Sequence, residues 1–379
     1  MNNSARKSGM RLLMLGLLQG MLILAFAGMA SAQNYVVKNL TADVTGVAAN
    51  TDSNLINPIG LTRGILGPWW VANNGSATSS LINGVGVPAG LLVNIPSAPG
   101  VSTPVQVTGT TFSGDSGVNT SPGNPAFFMF VTQQGDILGW PGAGGDFLNA
   151  SILVNRNGQA SYTAMTIAEI GGAYFVYAVN ALNGQIEAFN NSMVQVPLGP
   201  HAFIDPELPA SLAPFNIQEI GQDVFITYQS TQPGGDGPQG WVAVFSSTGQ
   251  FLARLQSGPW LDAPYGIALA PQDFGQFAHA MLVANHGTGN IAAFDLFNHK
   301  FIEVLLDPSG NAISVDGLWA IGFADGGIAG FQSGPNTGGN GAATGPFNVC
   351  YFTAGPSMGQ HGLVGQLTPV KSEQNNLHQ

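Results

Sequence analysis

Five side-chain amides recur at the ends of short apolar segments, and their type and spacing are the first hint of chemistry in this chain. Asn73, Gln133, Asn180, Gln229 and Asn285 close the segments 69–73, 129–133, 176–180, 225–229 and 281–285, with Ala354 closing a sixth at 350–354. An uncharged ring of groups that both donate and accept hydrogen bonds suits a polyhydroxylated sugar or a peptide backbone. The same residue types also end strands and bond to their own turns, so a structural role competes at every position. His286, Asp316 and His361 are the remaining candidates. An acid and two imidazoles near one axis would hold a metal or move protons, but the six histidines form no HExxH or other paired short-spacing motif.

Other fragments imitate known chemistry. Gly114-Asp115-Ser116-Gly117 has the look of a serine-protease nucleophile segment, without that family's surrounding glycine pattern or its Ala-Ala-His-Cys, and reads as a turn. Asp52-Ser53-Asn54 has part of a calcium-loop spacing and lacks the glycine and distal glutamate of an EF-hand. Cys350, the single cysteine, has no disulfide partner and reads as a small buried hydrophobe. No phosphate-binding or dinucleotide-binding loop is present.

The elements that must position these residues come from internal repetition. The last residues of the six segments are 60, 47, 49, 56 and 69 apart, a mean of about 56, longer than the roughly 40–50 of familiar propeller repeats. Insertions rich in Gly and Pro at 232–240 and 334–345 account for part of the excess. Each segment is preceded by a strand with small residues, as in Pro264-Tyr265-Gly266-Ile267-Ala268. Many are followed by a Gly-led turn into a third strand, as in Gly184-Gln185-Ile186-Glu187-Ala188-Phe189, whose alternation marks a half-buried strand. Three or four antiparallel strands per unit, repeated six times, predict an all-β, six-bladed β-propeller. Crowding near the axis favours small residues on the first strand, while Trp140, Phe189, Phe245 and Phe294 fill space between diverging sheets. Pairing the N-terminal strand 35–40 with 363–367 would close the ring and remove its open edges.

Composition agrees. Of 379 residues, 53 are Gly and 24 Pro, and only 8% are charged, against about 25% in an average soluble domain. With 45% hydrophobic residues, the chain has material for a core and is neither disordered nor a long-helix protein. Residues 1–32 carry Arg6, Lys7 and Arg11, an apolar run at 12–28 and Ala30-Ser31-Ala32, the pattern of a signal peptide. Residues 33–370 are then one propeller domain and 371–379 a polar tail. Removing 1–32 leaves six Lys and Arg against 20 acids, a formal charge of −14. That charge disfavours nucleic acid as a partner, and no second segment suits a stable membrane span.

The chain resembles an uncharacterised family of secreted bacterial proteins with NHL-like six-bladed propellers. The resemblance covers most of the mature chain. It lies in Gly123-Asn124-Pro125 with Gly135-Asp136-Ile137-Leu138-Gly139-Trp140, in Ala213-Pro214-Phe215-Asn216-Ile217-Gln218, and in Ala263-Pro264-Tyr265-Gly266-Ile267. It continues in Asp316-Gly317-Leu318-Trp319-Ala320, Tyr351-Phe352-Thr353-Ala354-Gly355-Pro356 and His361-Gly362-Leu363, with departures at Ile59 and at Ala181-Leu182. The resemblance implies export and release, and it carries no activity with it. The expectation is a secreted or periplasmic, noncatalytic binding or scaffold propeller, its ligand carbohydrate or peptide. The alternative is a metal-assisted hydrolase or lyase of the calcium type with its site at the central channel, although no motif in the sequence indicates calcium and the cofactor is left open.

Overall fold

The computed structural model describes residues 34–65, 67–101, 104–114, 116–324 and 345–370. The expected signal segment, the tail 371–379 and residues 334–344 of the second insertion lie outside them. Six blade sheets follow in sequence order around a ring, five of four antiparallel strands and one of five whose short edge strand Asn50–Thr51 is parallel. A separate two-stranded hairpin pairs Asn119–Ser121 with Asn124–Pro125. Blades 1 to 5 begin with the inner strands Pro58–Arg63, Val107–Phe112, Tyr162–Ile170, Leu212–Ile220 and Pro264–Leu269. Blade 6 takes Leu318–Phe323, Cys350–Ala354 and Leu363–Pro369 from the C-terminal part and Tyr35–Ala42 from the N-terminal part. Tyr35 pairs with Pro369, Lys38 with Gln366 and Ala42 with Leu363. The ring is therefore closed by its first strand, as the open-edge argument requires.

The core is divided into wedges between neighbouring blades rather than gathered in one centre. Trp70 of blade 1 stacks on Phe128 of blade 2 with centroids 3.9 Å apart, and Trp140 lies 4.7 Å from Trp70. Phe189, Phe245 and Phe294, near the C-terminal ends of the third strands of blades 3, 4 and 5, are all buried. Sheets that splay apart with radius leave a gap that only large side chains fill, which is why aromatics recur at this position. Burial pushes the Cys350 thiol up to about 12, so it is an inert packing group.

Each inner strand carries a bulge near its start. Pairing skips Ile59, Thr108, Thr163 and Phe215 in blades 1 to 4, and the irregularity recurs at Tyr265-Gly266 and Trp319-Ala320. A bulge bends the strand and re-aims the extra side chain. Here it turns Ile59, Phe215, Tyr265 and Trp319 toward one another in a shared apolar cluster. The next residue is Gly60, Gly109, Ala164, Asn216, Gly266 or Ala320, and the space explains the preference for small types. A Cβ on Gly266 would lie 2.6 Å from the Ile321 nitrogen of the adjacent blade, and one on Gly60 would lie 2.9 Å from the Thr110 nitrogen.

Candidate functional site

The bulges fix which residues are equivalent between blades, and they revise the amide ring. Counting from the residue paired with each third-strand aromatic or its counterpart, the common position is Asn73, Thr132, Asn180, Tyr228, Asn285 and Ala354. Gln133 and Gln229 fall one residue beyond it. Because side chains alternate along a strand, a one-residue offset sends them to the other face, and Gln133 is exposed while Gln229 is half-buried.

The three asparagines at the common position are fully buried and bond inward. Asn180 Oδ1 accepts from the Ser161 and Leu182 backbone N–H groups, both at 3.1 Å, and its Nδ2 donates to Glu187 Oε1 at 2.9 Å. Asn285 Oδ1 accepts from Asp262 N–H at 2.9 Å, and its Nδ2 donates to Trp260 O and Asn290 Oδ1. Asn73 Nδ2 donates to Thr78 Oγ1 and Ser80 Oγ, leaving its Oδ1 without a partner. In blades 3 and 5 the amide latches the incoming connection to the turn between second and third strands.

His286, Asp316 and His361 lie on the same face without forming one cluster. The His286 ring stacks on Trp319, centroids 3.6 Å apart, with Nδ1 3.0 Å from Leu318 O; that carbonyl places the proton on Nδ1. Trp319 Nε1 donates to Asn57 Oδ1. Asp316 accepts from the Ser357 N–H, and His361 Nδ1 stands 2.9 Å from Asp43 Oδ2. Among the described residues no group of three or more His, Cys, Asp or Glu is placed to hold a metal ion. Ser116 is buried and shares a hydrogen bond with Ser113 Oγ, consistent with a turn.

Burial holds the His286 imidazole below the ordinary histidine range, partly offset by the Leu318 carbonyl and by Asp262 and Asp316. Its folded pKa therefore lies below its unfolded value of about 6.5. Between the two, the unfolded chain binds more protons, so this residue's contribution is intact above pH 6.5 or so and is lost as pH falls. The Tm difference between pH 7.5 and pH 5 should shrink in His286→Gln. An unchanged difference would mean that the ring is solvated in the folded protein.

The axis itself is plugged. Phe215, Tyr265 and Trp319 meet edge to face or tilted, with centroids 5.1–5.8 Å apart. The Tyr265 hydroxyl crosses to the far side of the ring, 2.9 Å from Thr108 O and 3.1 Å from Thr163 O. Beyond the plug lies a recess of about 220 Å³ lined partly by Thr110, Thr166, Asn216, Gln218 and Glu219. Burial, then Asp223, raises the Glu219 carboxyl.

A wider opening lies elsewhere. A groove of about 840 Å³ runs between blades 3 and 4, with Ile186 and Glu187 at its floor and Pro197, Leu198, Ile204 and Leu208 among its walls. Its volume falls within the range of about 300–1,000 Å³ usual for ligand sites. Two buried carboxylates stiffen it. Glu187 accepts from the Tyr162 hydroxyl at 2.6 Å and from Asn180, with Arg156 Nε 3.4 Å away. Asp205 accepts from Arg254 Nη2 at 2.6 Å, Arg254 Nε at 3.2 Å and Trp241 Nε1 at 2.9 Å. The second set pins the strap 197–211 to blade 4. Burial, then the Glu187 hydrogen bond and charge, drives the Tyr162 phenol up; burial, then Asp205, does the same to Tyr228 at the groove wall. Of the candidate site residues named from the sequence, Asn180 alone supports this groove, through Glu187.

No family model matches the chain. Two uncharacterised proteins of Acanthamoeba polyphaga mimivirus are similar in sequence. One is 32% identical over 184 residues, 45% of this chain and 33% of that protein, so the match spans about a third of the relative's length. The other is 26% identical over 355 residues, 88% of this chain and 79% of that protein. A solved protein of unknown function from Bacteroides thetaiotaomicron has a TM-score of 0.53 at 9% identity, over 89% of this chain and 76% of its own, and it shares the fold. A virginiamycin B lyase from Staphylococcus aureus superposes with a TM-score of 0.48 at 12% identity, over 89% of this chain and 100% of its own. The sequence relatives are viral and do not support the secreted bacterial family that the motifs resemble. Among the described residues no helix is long and apolar enough to cross a membrane.

Proposed function

We propose that this protein is an exported, noncatalytic propeller that binds a ligand in the groove between blades 3 and 4. The observation that carries the reading is the groove: a mixed apolar and polar trough held open by two buried ion-paired networks. Preorganised walls lower the ordering cost of binding. Export rests on the pattern of residues 1–32. A peptide fits better than a sugar. The aromatic side chains at the groove, Phe203 and Tyr228, are buried in the wedge between blades and offer no open platform for a sugar ring.

Thermal unfolding tests this without assuming chemistry. The purified chain is scanned against a pool of defined tetra- to hexapeptides and against cello-, chito- and maltohexaose. A ligand at a hundred times its Kd stabilises the folded state by about 2.7 kcal/mol. Peptides should raise Tm, and Ile204→Arg, at a half-exposed wall position, should abolish the rise without changing the ligand-free Tm. A rise that survives Ile204→Arg and disappears in Asp316→Ala would place the site at the channel mouth and end this reading.

A further inference from the structure

Blade 3 differs from its two successors at the outer edge. In blade 4 the outer strand Phe251–Arg254 pairs along Ala243, Val244 and Phe245, and the Leu255 N–H then donates to Val242 O at 3.0 Å. In blade 5 Phe301–Val304 pairs along Ala292, Ala293 and Phe294, and the Leu305 N–H donates to Ile291 O at 2.9 Å. Both leucines are fully buried, at 1% and 0% exposure. The pairing makes Ile186 the counterpart of Val242 and Ile291, and Leu198 the counterpart of the two leucines.

Blade 3 never completes this step. Its outer strand is only Gln195–Val196, opposite Phe189 and Ala188. Pro197 follows, and with no N–H and a fixed φ it ends the ladder. Among the described residues no backbone hydrogen bond from a loop or neighbouring segment reaches Ile186 O, and Leu198 is only half-buried. Strand alternation points the Ile186 N–H and C=O outward, into the groove they line. The Ile186 carbonyl, at a half-buried residue, therefore offers the groove an acceptor that an added strand can use.

We propose that blade 3 is completed by an extended peptide segment of a partner protein, which adds as a strand along Gln185, Ile186 and Glu187. It seats an aliphatic side chain beside the half-buried Leu198, at the position that Leu255 and Leu305 fill in the neighbouring blades. The inference rests on the reading of the groove as a binding site and specifies its ligand. Backbone pairing supplies affinity and the side-chain slot supplies selectivity. Charge refines the occupant. Glu187 is buried at 7% exposure while its partner Arg156 keeps 24% of its side chain exposed, so this rim presents a cation. An acidic residue beside the aliphatic one is complementary to it.

The probes are capped pentapeptides with the sequences of residues 301–305 and 251–255, which carry a glutamate and an arginine respectively. Each is titrated into the full chain by fluorescence anisotropy. Saturable binding should be severalfold tighter for the acidic peptide and lost in Ile204→Arg. N-methylation of its leucine amide, or leucine to alanine in the peptide, should weaken it at least tenfold. If the N-methyl peptide binds as tightly as the parent while Ile204→Arg still abolishes binding, the groove is a site and strand addition is wrong. Failure of both peptides to saturate, or binding indifferent to Ile204→Arg, also overturns the proposal; the groove reading is then judged by the stabilisation screen alone.

Discussion

Replacing Arg254 with methionine should cost the folded protein about 3–5 kcal/mol, the usual penalty for stranding one member of a buried ion pair. Asp205 is the reason. Its side chain is fully buried and accepts from two Arg254 nitrogens, from Trp241 Nε1 and from the Glu207 N–H. Arg254 also bonds Glu207 and packs against Trp241 and Phe251, its guanidinium carbon 5.6 and 5.1 Å from their ring centres. Methionine keeps much of the packing and removes every charge-assisted bond. The loss should appear as a lower urea midpoint and as new protease cleavage within 197–211, because this network ties that strap to blade 4. Adding Asp205→Leu should recover part of the stability by removing the orphaned charge. A change below about 1 kcal/mol, the scale of an exposed pair, would mean that the strap is held by its apolar contacts.

The architecture was legible because repetition multiplies weak local signals. One Gly-led turn means little, but Phe189, Phe245 and Phe294 behind similar strands locate the wedges between blades, and all three are buried there. Ring closure followed from an open-edge argument, and Tyr35–Ala42 pairs as that argument requires. The amides were legible as residue types and only partly as positions. Asn73, Asn180 and Asn285 are equivalent, whereas Gln133 and Gln229 sit one step late, and a period of two makes that step a change of face. Nothing in the sequence marks a bulge that turns Phe215 and Tyr265 toward the axis. The groove was illegible for another reason: Arg156, Glu187, Asp205, Tyr228 and Arg254 meet only through pairing between distant segments. Pro197 was the one local sign, a proline where the neighbouring outer strands continue.

Truncating Tyr265 to alanine should destabilise the protein by about 3–5 kcal/mol, the range for emptying a buried aromatic site. Phenylalanine should cost about 1 kcal/mol, the net worth of its hydrogen bond. The contrast matters because Tyr265 spans the ring. It leaves blade 5, packs against Phe215 and Trp319, and ends at the carbonyls of Thr108 and Thr163 in blades 2 and 3. The channel mouth is filled by these three rings, Phe215 and Tyr265 buried and Trp319 half-buried. A ligand of the groove makes no use of that plug, so Tyr265→Phe should bind a groove peptide with unchanged Kd while unfolding at lower urea. Loss of peptide binding in Tyr265→Phe, with folding intact, would move the site to the axis. Equal stability of wild type and Tyr265→Ala would instead show that the plug is not packed as described, and the closure of the channel would fall with it.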